Sequence, residues 1–324
     1  MAKKNFYGQK QGQTLFSEVA SGWLSAMSIR VKPSSYAAYK GALERHILPS
    51  LGNYGITSLT ANDIGDFTKE KLANGRLDNK GGLSAKTVRD MLSIIKSIMD
   101  HALDTGKIDH RIRLQYPKLD CQARRVFNRK EQIRLESNLK KDTDIHKLGV
   151  LVCLYTGIRI GELCALRWQD ISFEQGMITV ERTLQRVQDF TGSGSKTRIE
   201  VGAPKSPSSV RNIPIPKFLS EIIRKHATNR HEFFLATDKS EFTEPRTMQN
   251  HFARILKQLN MPRANFNATR HTFATRCMEA GVDIKSLSEM LGHSSVNITL
   301  NRYVHSSLEQ KRACIDKLVR HVRP

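Results

Sequence analysis

The sequence predicts a mainly helical protein of two domains, with one small β-sheet or hairpin in the second domain. Its 324 residues are about twice the length of a typical domain. Apolar residues recur at helical spacing through most of the chain, whereas residues 177–187 alternate and are rich in β-branched residues, as a half-buried strand is. We therefore expect an all-α domain followed by an α+β domain.

The predicted boundaries follow changes in composition and pattern along the chain. Residues 111–125 are basic and contain Pro117, which is typical of a linker. The five predicted segments are a short polar segment (1–13), a helical domain (14–110), the linker (111–125), a second domain (126–306) and a tail helix (307–324).

The first two helices are recognised by their apolar stripes. The first begins after Thr14, because a threonine hydroxyl is a good amino-terminal cap. The second begins at Ser34 or Ser35 and ends before Pro49, because proline interrupts a helix interior. The positions expected to be buried are Leu15, Phe16, Val19, Ala20, Trp23, Leu24 and Met27 in the first helix, and Tyr36, Leu43 and Ile47 in the second.

Thr60 and Ser84 are predicted to cap two further helices of the first domain. Residues 74–82, with three glycines, form the loop between them, and Gly106 ends the second of the two. Their expected buried positions are Ile64, Phe67 and Leu72, then Val88, Met91, Leu92, Ile95, Met99 and Leu103.

The second domain is predicted to mix helices with a few strands. A buried helix at 147–155 is stopped by Gly157, and a second apolar helix follows Arg159. Strand 177–187 leads to a hairpin tip at 192–195. The remaining predictions are strands at 197–201 and 211–215, then helices at 216–227, 247–259, 269–280, 283–291 and 295–304.

The charge of the chain indicates a polyanionic partner. The 52 lysines and arginines exceed the 31 aspartates and glutamates, and the formal net charge is +21. Composition alone fits an RNA-binding or ribosomal protein as well as a DNA-binding one. A hydrophobic content of 39% and only 10 prolines argue against a basic disordered protein.

Cysteine usage and hydropathy indicate a soluble cytoplasmic protein that does not associate with a membrane. The amino terminus has no apolar signal core, and the longest apolar run, 148–155, is too short to span a bilayer. The cysteines are odd in number, widely spaced and without a Cys-x-x-Cys pair, so we expect free thiols: Cys121, Cys153, Cys164, Cys277 and Cys314.

Four residues of the chain suit one chemical task, which is to hold a phosphodiester while a phenolic oxygen attacks it. Arg159 and Arg270 offer planar forks of donors that match the oxygens of a phosphodiester. Tyr303 can attack such a phosphate and form a covalent intermediate, and His293 lies ten positions before it. In its predicted helix, Arg270 lies in the first turn, where an anion is favoured.

Three segments carry a resemblance to a known family: residues 156–170, 204–216 and 266–305. The first reads Thr-Gly-x-Arg-x-x-Glu-Leu-x-x-Leu-x-Trp-x-Asp, and the last contains Thr-Arg-His, Leu-Gly-His and Arg-Tyr-Val-His. These motifs together resemble those of tyrosine recombinases of the phage and conjugative-transposon integrase family.

The resemblance implies an all-α core-binding domain and an α+β catalytic domain that form a clamp around duplex DNA. Arg159, Arg270 and His293 would be catalytic, and Tyr303 would be the nucleophile that forms a 3′-phosphotyrosine. Because bond energy is kept in that linkage, no ATP, metal or other cofactor is implied. Glu162 and Asp170 would brace Arg159.

Positions 205 and 267 match the family's motifs less closely. The family's mobile lysine, which protonates the departing 5′ oxygen, corresponds to Lys205, with Lys196 as the alternative and simple phosphate positioning as another. The family's His-x-x-Arg-His motif is here Asn267-Ala-Thr-Arg270-His271. Asn267 has no titratable proton, so it cannot accept the proton of Tyr303. Either His293 or water then deprotonates Tyr303, or the enzyme is slow. The resemblance gives His271 a structural role only.

The expected partner is double-stranded DNA, bound by a homotetramer, with accessory DNA-bending or excision factors as further partners. The tail helix has an apolar face that would dock either on a neighbouring protomer or on its own domain. The amino-terminal segment is too short for the arm-binding domain of many integrases, which implies an enzyme without one, or a fragment.

Three alternatives to an integrase of a mobile element remain open at the level of sequence. They are a type IB topoisomerase, a catalytically impaired DNA-binding protein of the same fold, and a chromosome-dimer resolvase. The long hairpin at 186–201 and the Arg-Tyr-Val-His segment favour an integrase over a resolvase.

Overall fold

The computed structural model describes residues 13–119, 124–188, 197–204, 206–227, 232–236 and 241–303, together with Arg312 and Asp316. It is mainly helical, as predicted, and its strands form two small sheets where one small sheet or hairpin was expected. The chain divides into two compact units, one within Met1–Gln122 and Val187–Arg198 and the other within Ala123–Arg186 and Ile199–Pro324. No helix in the described ranges is long and apolar enough to cross a membrane.

The first unit is a helical bundle around its own core. Its elements are α1 (Phe16–Ser28), α2 (Pro33–Ala42), a π-helical turn (Leu43–Ile47), α3 (Leu48–Leu51), α4 (Ala61–Asn74) and α5 (Ala85–Asp104). The core is dominated by large apolar side chains that include Phe16, Trp23, Ile47, Leu92 and Ile95.

The helix ends of this unit agree with the sequence in part. The hydroxyl groups of Thr60 and Ser84 accept hydrogen bonds from the third backbone amide of α4 and α5, as expected of caps. The cap of α1 is Leu15, not Thr14. The predicted end before Pro49 is wrong: the π-helical turn carries the helix into α3, and Pro49 lies in the first turn of α3.

Burial of α4 differs from the prediction at one position. Leu72 is 37% exposed, whereas the preceding Lys71 is buried. The ammonium group of Lys71 lies 5.4 Å from the centre of the Phe67 ring and 2.8 Å from a carboxylate oxygen of Glu70. A long lysine stem can thus occupy an apolar position while its charge keeps a partner.

Residues 124–303 contain ten described helices or helical turns and five strands, most of them around the larger core of the second unit. The helices are α6 (Arg129–Lys140), α7 (Ile145–Thr156), α8 (Ile160–Cys164), α9 (Lys217–His226), α10 (Pro245–Gln258), α11 (Asn267–Glu279), α12 (Ile284–Leu291) and α13 (Val296–Tyr303), and short 3₁₀ turns occur at Trp168–Asp170 and Pro207–Ser209. Helix α7 is buried along most of its length and packs against α11, α6, α9 and α10.

The strands are β1 (Ile171–Ser172), β2 (Met177–Val180), β3 (Thr183–Gln188), β4 (Thr197–Gly202) and β5 (Arg211–Pro214). The single strand predicted at 177–187 is two strands. β2 joins an antiparallel sheet of order β1-β2-β5, whereas β3 pairs with β4. Ile178, Val180 and Leu184 keep the same parity on both sides of the break at Glu181 and Arg182, so the pattern does not reveal it.

Other sequence predictions fall partly outside the described residues. Cys153, Cys164 and Cys277 are free thiols, the first two buried, whereas Cys121 and Cys314 lie outside. The hairpin tip at 192–195 also lies outside. Within the predicted tail helix only Arg312 and Asp316 are described, and both are helical.

Candidate active site

The site begins at the carboxyl end of α7. Gly157 adopts a left-handed conformation with φ of 64°, and its amide donates to the carbonyl of Cys153 at 3.0 Å. A Cβ atom at this position would lie 2.5 Å from the Phe273 ring, so only glycine fits beneath α11. The turn reverses the chain and places Arg159 directly before α8.

Arg159 is held at both ends of its guanidinium. One nitrogen donates to Glu162 Oε1 at 2.7 Å, and the other donates to the carbonyl of Gly292 at 3.0 Å. The side chain is nevertheless 38% exposed. It can therefore face a bound anion without giving up its supports.

Glu162 is the buried carboxylate that links two arginines. Its other oxygen accepts from Arg211 Nη2 at 2.8 Å and from the backbone amide of Arg159 at 2.9 Å. Burial raises the pKa of this carboxyl, but the hydrogen bond and charge of Arg211, followed by the charge of Arg159, lower it below its ordinary value overall. Glu162 is therefore ionised at neutral pH and braces Arg159, as expected.

Asp170, the second residue expected to brace Arg159, has other partners. Its carboxylate pairs with the guanidinium of Arg182 and accepts from the backbone amide of Arg167 at 2.9 Å. Asp170 thus fixes the turn between α8 and β1. No described contact connects it with Arg159.

Arg211 is a residue of the site that sequence reasoning missed. In addition to its hydrogen bond with Glu162, Arg211 donates to the carbonyl of Met290 at 2.6 Å and to the carbonyl of Ser209 at 2.8 Å. Its side chain is only 6% exposed. It ties the start of β5 to the end of α12. An arginine at the start of a predicted strand has no local pattern that would identify this role.

Arg270 is buried at the start of α11, which begins at Asn267, two residues earlier than predicted. Its guanidinium donates to the carbonyls of Gly157 and Leu291, each at 2.7 Å. Burial, and next the charge of Arg159, lower its pKa to about 9. A nearby anion would reverse that shift, so the site favours a negative charge.

His293 supports Arg270 from the other side. It follows Gly292, whose φ of 62° ends α12 as the sequence predicted. Its Nε2 lies 3.0 Å from Arg270 Nη2 and its Nδ1 lies 2.8 Å from Thr299 Oγ1. Because a guanidinium can only donate, Nε2 accepts. The proton of this neutral imidazole therefore sits on Nδ1 and is donated to Thr299.

Tyr303 ends α13, and its hydroxyl lies 2.9 Å from Nδ1 of His271. Its ring is nearly parallel to that of His293, at 6.5 Å between centroids and an angle of 6°. Sequence reasoning assigned no chemical role to His271. The structure places its half-buried ring at the hydroxyl of the predicted nucleophile.

A cavity of about 460 Å³ lies beside these groups. Arg159, Asn267, Arg270 and His271 line it, together with Arg186. Three guanidinium groups (Arg159, Arg211 and Arg270) surround one buried carboxylate, Glu162, so the charged groups leave a local excess of positive charge. Such a pocket is suited to a phosphate group. Lys205 and Lys196 lie outside the described residues.

Comparison with known proteins identifies the family. The model of the "Phage integrase family" matches residues 125–310, and the model of the "Phage integrase, N-terminal SAM-like domain" matches residues 15–72. The first match alone covers more than half of the chain. The chain belongs to the phage integrase family. It has an amino-terminal SAM-like core-binding domain and an integrase catalytic domain, and it is a tyrosine-type site-specific recombinase.

Relatives of this integrase-family chain are distant but extend along nearly all of it. It is 26% identical to a XerC-like tyrosine recombinase of Caldanaerobacter subterraneus subsp. tengcongensis, over 98% of this chain and 88% of that protein. It is 24% identical to the ICEBs1 integrase of Bacillus subtilis, over 96% and 84% of the two chains.

Two solved structures are similar to this chain. The Tn1549 transposon integrase in complex with transposon right end DNA is 25% identical, with a TM-score of 0.76 over 94% of this chain and 100% of that one. The lambda integrase tetramer bound to a Holliday junction is 17% identical, with a TM-score of 0.68 over 91% and 78%, and shares the fold.

Proposed function

We propose that this phage integrase family protein cuts and rejoins double-stranded DNA through a 3′-phosphotyrosine on Tyr303. One observation carries the proposal. The hydroxyl of Tyr303 meets His271, which lines the same cationic cavity as Arg159 and Arg270. A nucleophile, a phosphate pocket and fixed guanidinium donors thus lie within one unit.

In the proposed reaction, Arg159 and Arg270 bind the non-bridging oxygens of the scissile phosphate and stabilise the charge of the transition state. Arg211 and Glu162 fix Arg159, and His293 fixes Arg270. The oxygen of Tyr303 forms a bond to phosphorus while the bond to the 5′ oxygen breaks. By resemblance to the family, Lys205 gives that oxygen its proton.

Resealing is the same displacement in reverse, with a 5′ hydroxyl of DNA as the nucleophile. Because the phosphotyrosine keeps the bond energy, resealing requires no ATP. The reaction would take place on DNA in the cytoplasm. The domain limits that go with this proposal are 14–110 for core binding, 111–125 for the linker and 126–306 for catalysis.

We further propose that the reaction integrates or excises a mobile element. The support is the similarity to the ICEBs1 integrase and the Tn1549 transposon integrase over almost the whole chain. Action as a homotetramer, with the 307–324 segment docked on a neighbouring protomer, follows by resemblance to the family. The lambda integrase, which shares the fold, is a tetramer on a Holliday junction.

The decisive test is covalent capture of DNA. Duplexes are selected for binding from a random-sequence library, and the enriched sequence is synthesised with a nick placed at each position in turn. A fragment released at the nick makes cleavage irreversible, so a protein–DNA adduct accumulates on denaturing gels. We expect an adduct at one position.

Tyr303→Phe is the matched control for this capture. It removes only the nucleophilic oxygen, so we expect no adduct and an affinity for the selected duplex within a few-fold of the wild type. An adduct from Tyr303→Phe would place the nucleophile elsewhere. Binding without an adduct from the wild-type protein would identify an impaired DNA-binding protein instead.

A further inference from the structure

The face of α11 that meets the cavity carries an imidazole one turn beyond the position where the family has its histidine. Asn267 and His271 are four residues apart on α11, which places them on the same side of the helix at about 6 Å along its axis. Both line the cavity, together with Arg270. Asn267 has no site for the proton of Tyr303, so another group must accept that proton.

A proton acceptor is needed because a phenol is mostly protonated near neutral pH, with an ordinary pKa of about 10. The amide of Asn267 can donate and accept hydrogen bonds but does not titrate. The acceptor must therefore be another group within hydrogen-bond reach of the Tyr303 hydroxyl, or a water molecule.

His293 is engaged elsewhere in this geometry. Its Nε2 accepts from Arg270 and its Nδ1 proton is directed to Thr299. Protonation of Nε2 would break the bond with Arg270 and set a second positive charge against a buried guanidinium. His293 is thus built to orient Arg270.

His271 meets the geometric requirement of a general base. Its Nδ1 is 2.9 Å from the Tyr303 hydroxyl, inside the range of about 2.6–3.2 Å that proton transfer requires. We propose that His271 accepts the phenolic proton of Tyr303 during strand cleavage and returns it during resealing, in place of the absent histidine at position 267. This inference rests on the proposed function and names the base of that reaction.

The Tyr303 oxygen bonds to phosphorus, its proton moves to His271 Nδ1, and the bond from phosphorus to the 5′ oxygen breaks. That oxygen takes a proton from a second acid, an ammonium group, which the family resemblance assigns to Lys205. On resealing, the 5′ hydroxyl gives its proton back to the amine and the phenolate leaves with the proton of His271.

The test uses single-turnover cleavage of the selected nicked duplex. His271→Asn keeps a hydrogen-bonding group near the position of Nδ1 but cannot titrate. We expect the cleavage rate to fall by about 10²–10⁴-fold, with DNA affinity within a few-fold of the wild type. The wild-type rate should rise with pH as an imidazole titrates, and the variant should lack that step.

Other groups around His271 must be considered in reading this profile. The charged or titratable groups that line the cavity with it, or contact those that do, are Arg159, Glu162, Arg186, Glu244, Arg270, His293 and Tyr303. Among them only His293 shares the ordinary pKa range of an imidazole. His293→Asn should therefore retain the pH step that His271→Asn loses.

Two further variants separate a chemical role from a structural one. Adding Asn267→His to His271→Asn should restore much of the rate, because it returns a titratable ring to the same helix face one turn earlier. His251→Asn, on α10 and not among the residues that line the cavity, should cleave at the wild-type rate.

A duplex with sulfur in place of the bridging 5′ oxygen identifies which proton transfer is affected. A thiolate leaves without a proton, because thiol pKa values are near 8.5. His271→Asn should stay slow on this duplex. Recovery of the rate there would assign His271 to the leaving group and overturn the proposal. Wild-type or faster cleavage of the ordinary duplex by His271→Asn would overturn it as well. Absence of any adduct from the wild-type protein would instead refute the proposed function itself.

Discussion

At the scale of single residues, the site depends on one buried carboxylate. Glu162 is 4% exposed and accepts hydrogen bonds from Arg159 and Arg211. A buried ion pair contributes little when it is compared with an apolar pair, but losing one partner leaves the other charge uncompensated. Glu162 therefore contributes more to the stability of the site than the bracing role that the sequence suggested for it.

Glu162→Gln should lower the free energy of unfolding by about 3–5 kcal/mol, because two guanidinium groups lose the charge that compensates them. Urea unfolding followed by circular dichroism measures this. Because the folded-state pKa of Glu162 is lowered, the wild type's advantage is present above the ordinary glutamate pKa and is lost as pH falls through the lowered value.

Asp66→Asn is the matched control for this substitution. Asp66 pairs with Lys69 at 3.0 Å, but both side chains are at least 75% exposed. Water and salt screen such a pair, so its loss should change stability by less than about 1 kcal/mol. Equal effects of the two substitutions would contradict the importance of the buried carboxylate.

At the scale of elements, the end of α7 joins the helical core to the cavity. Gly157 supplies the carbonyl that receives Arg270 and the turn that presents Arg159. The positive φ of Gly157 has a counterpart at the end of α5, where Gly106 has φ of 68°. The two glycines differ in their surroundings, since a Cβ would meet nothing within 4 Å at Gly106.

Gly157→Ala should destabilise the protein more than Gly106→Ala. Both alanines would adopt a left-handed conformation, which costs about 1–2 kcal/mol. Only the alanine at 157 would also displace Phe273 and Leu291, which adds about 1–3 kcal/mol of overpacking. Urea unfolding gives the two losses, and Gly157→Ala should in addition slow cleavage. Equal losses of stability in the two variants would show that the Phe273 ring moves aside at no cost in free energy.

At the scale of the whole molecule, net charge dominates the expected interaction with DNA. A formal charge of +21 over 324 residues places basic groups well beyond the cavity. Each phosphate that such a group neutralises releases counterions from the DNA, and this release is the main source of affinity that does not depend on sequence.

The affinity of the Tyr303→Phe protein for its selected duplex should therefore fall steeply with salt. Six to ten phosphate contacts would reduce it by about 10³–10⁵-fold between 50 and 200 mM salt. Fluorescence anisotropy with a labelled duplex measures the slope, and a scrambled duplex of equal length gives the non-specific slope. A nearly flat dependence would exclude binding dominated by phosphate contacts.

The sequence by itself determined the fold class, most helix limits and the candidate residues of the site. Caps such as Thr60 and Ser84, and terminating glycines such as Gly157 and Gly292, act on backbone groups a few positions away, so a linear pattern records them. Arg159, Arg270, His293 and Tyr303 became candidate site residues in the same way, from motif and spacing.

Only the tertiary structure decided which of these groups meet. Arg211 reaches Glu162 across 49 positions, and His271 reaches the Tyr303 hydroxyl across 32. The division of strand 177–187 between two sheets likewise depends on its partners, β5 and β4, and not on its own alternation. The physical reason is the same in each case: periodicity reports the face that a residue presents, whereas a hydrogen bond between distant segments depends on how their elements pack.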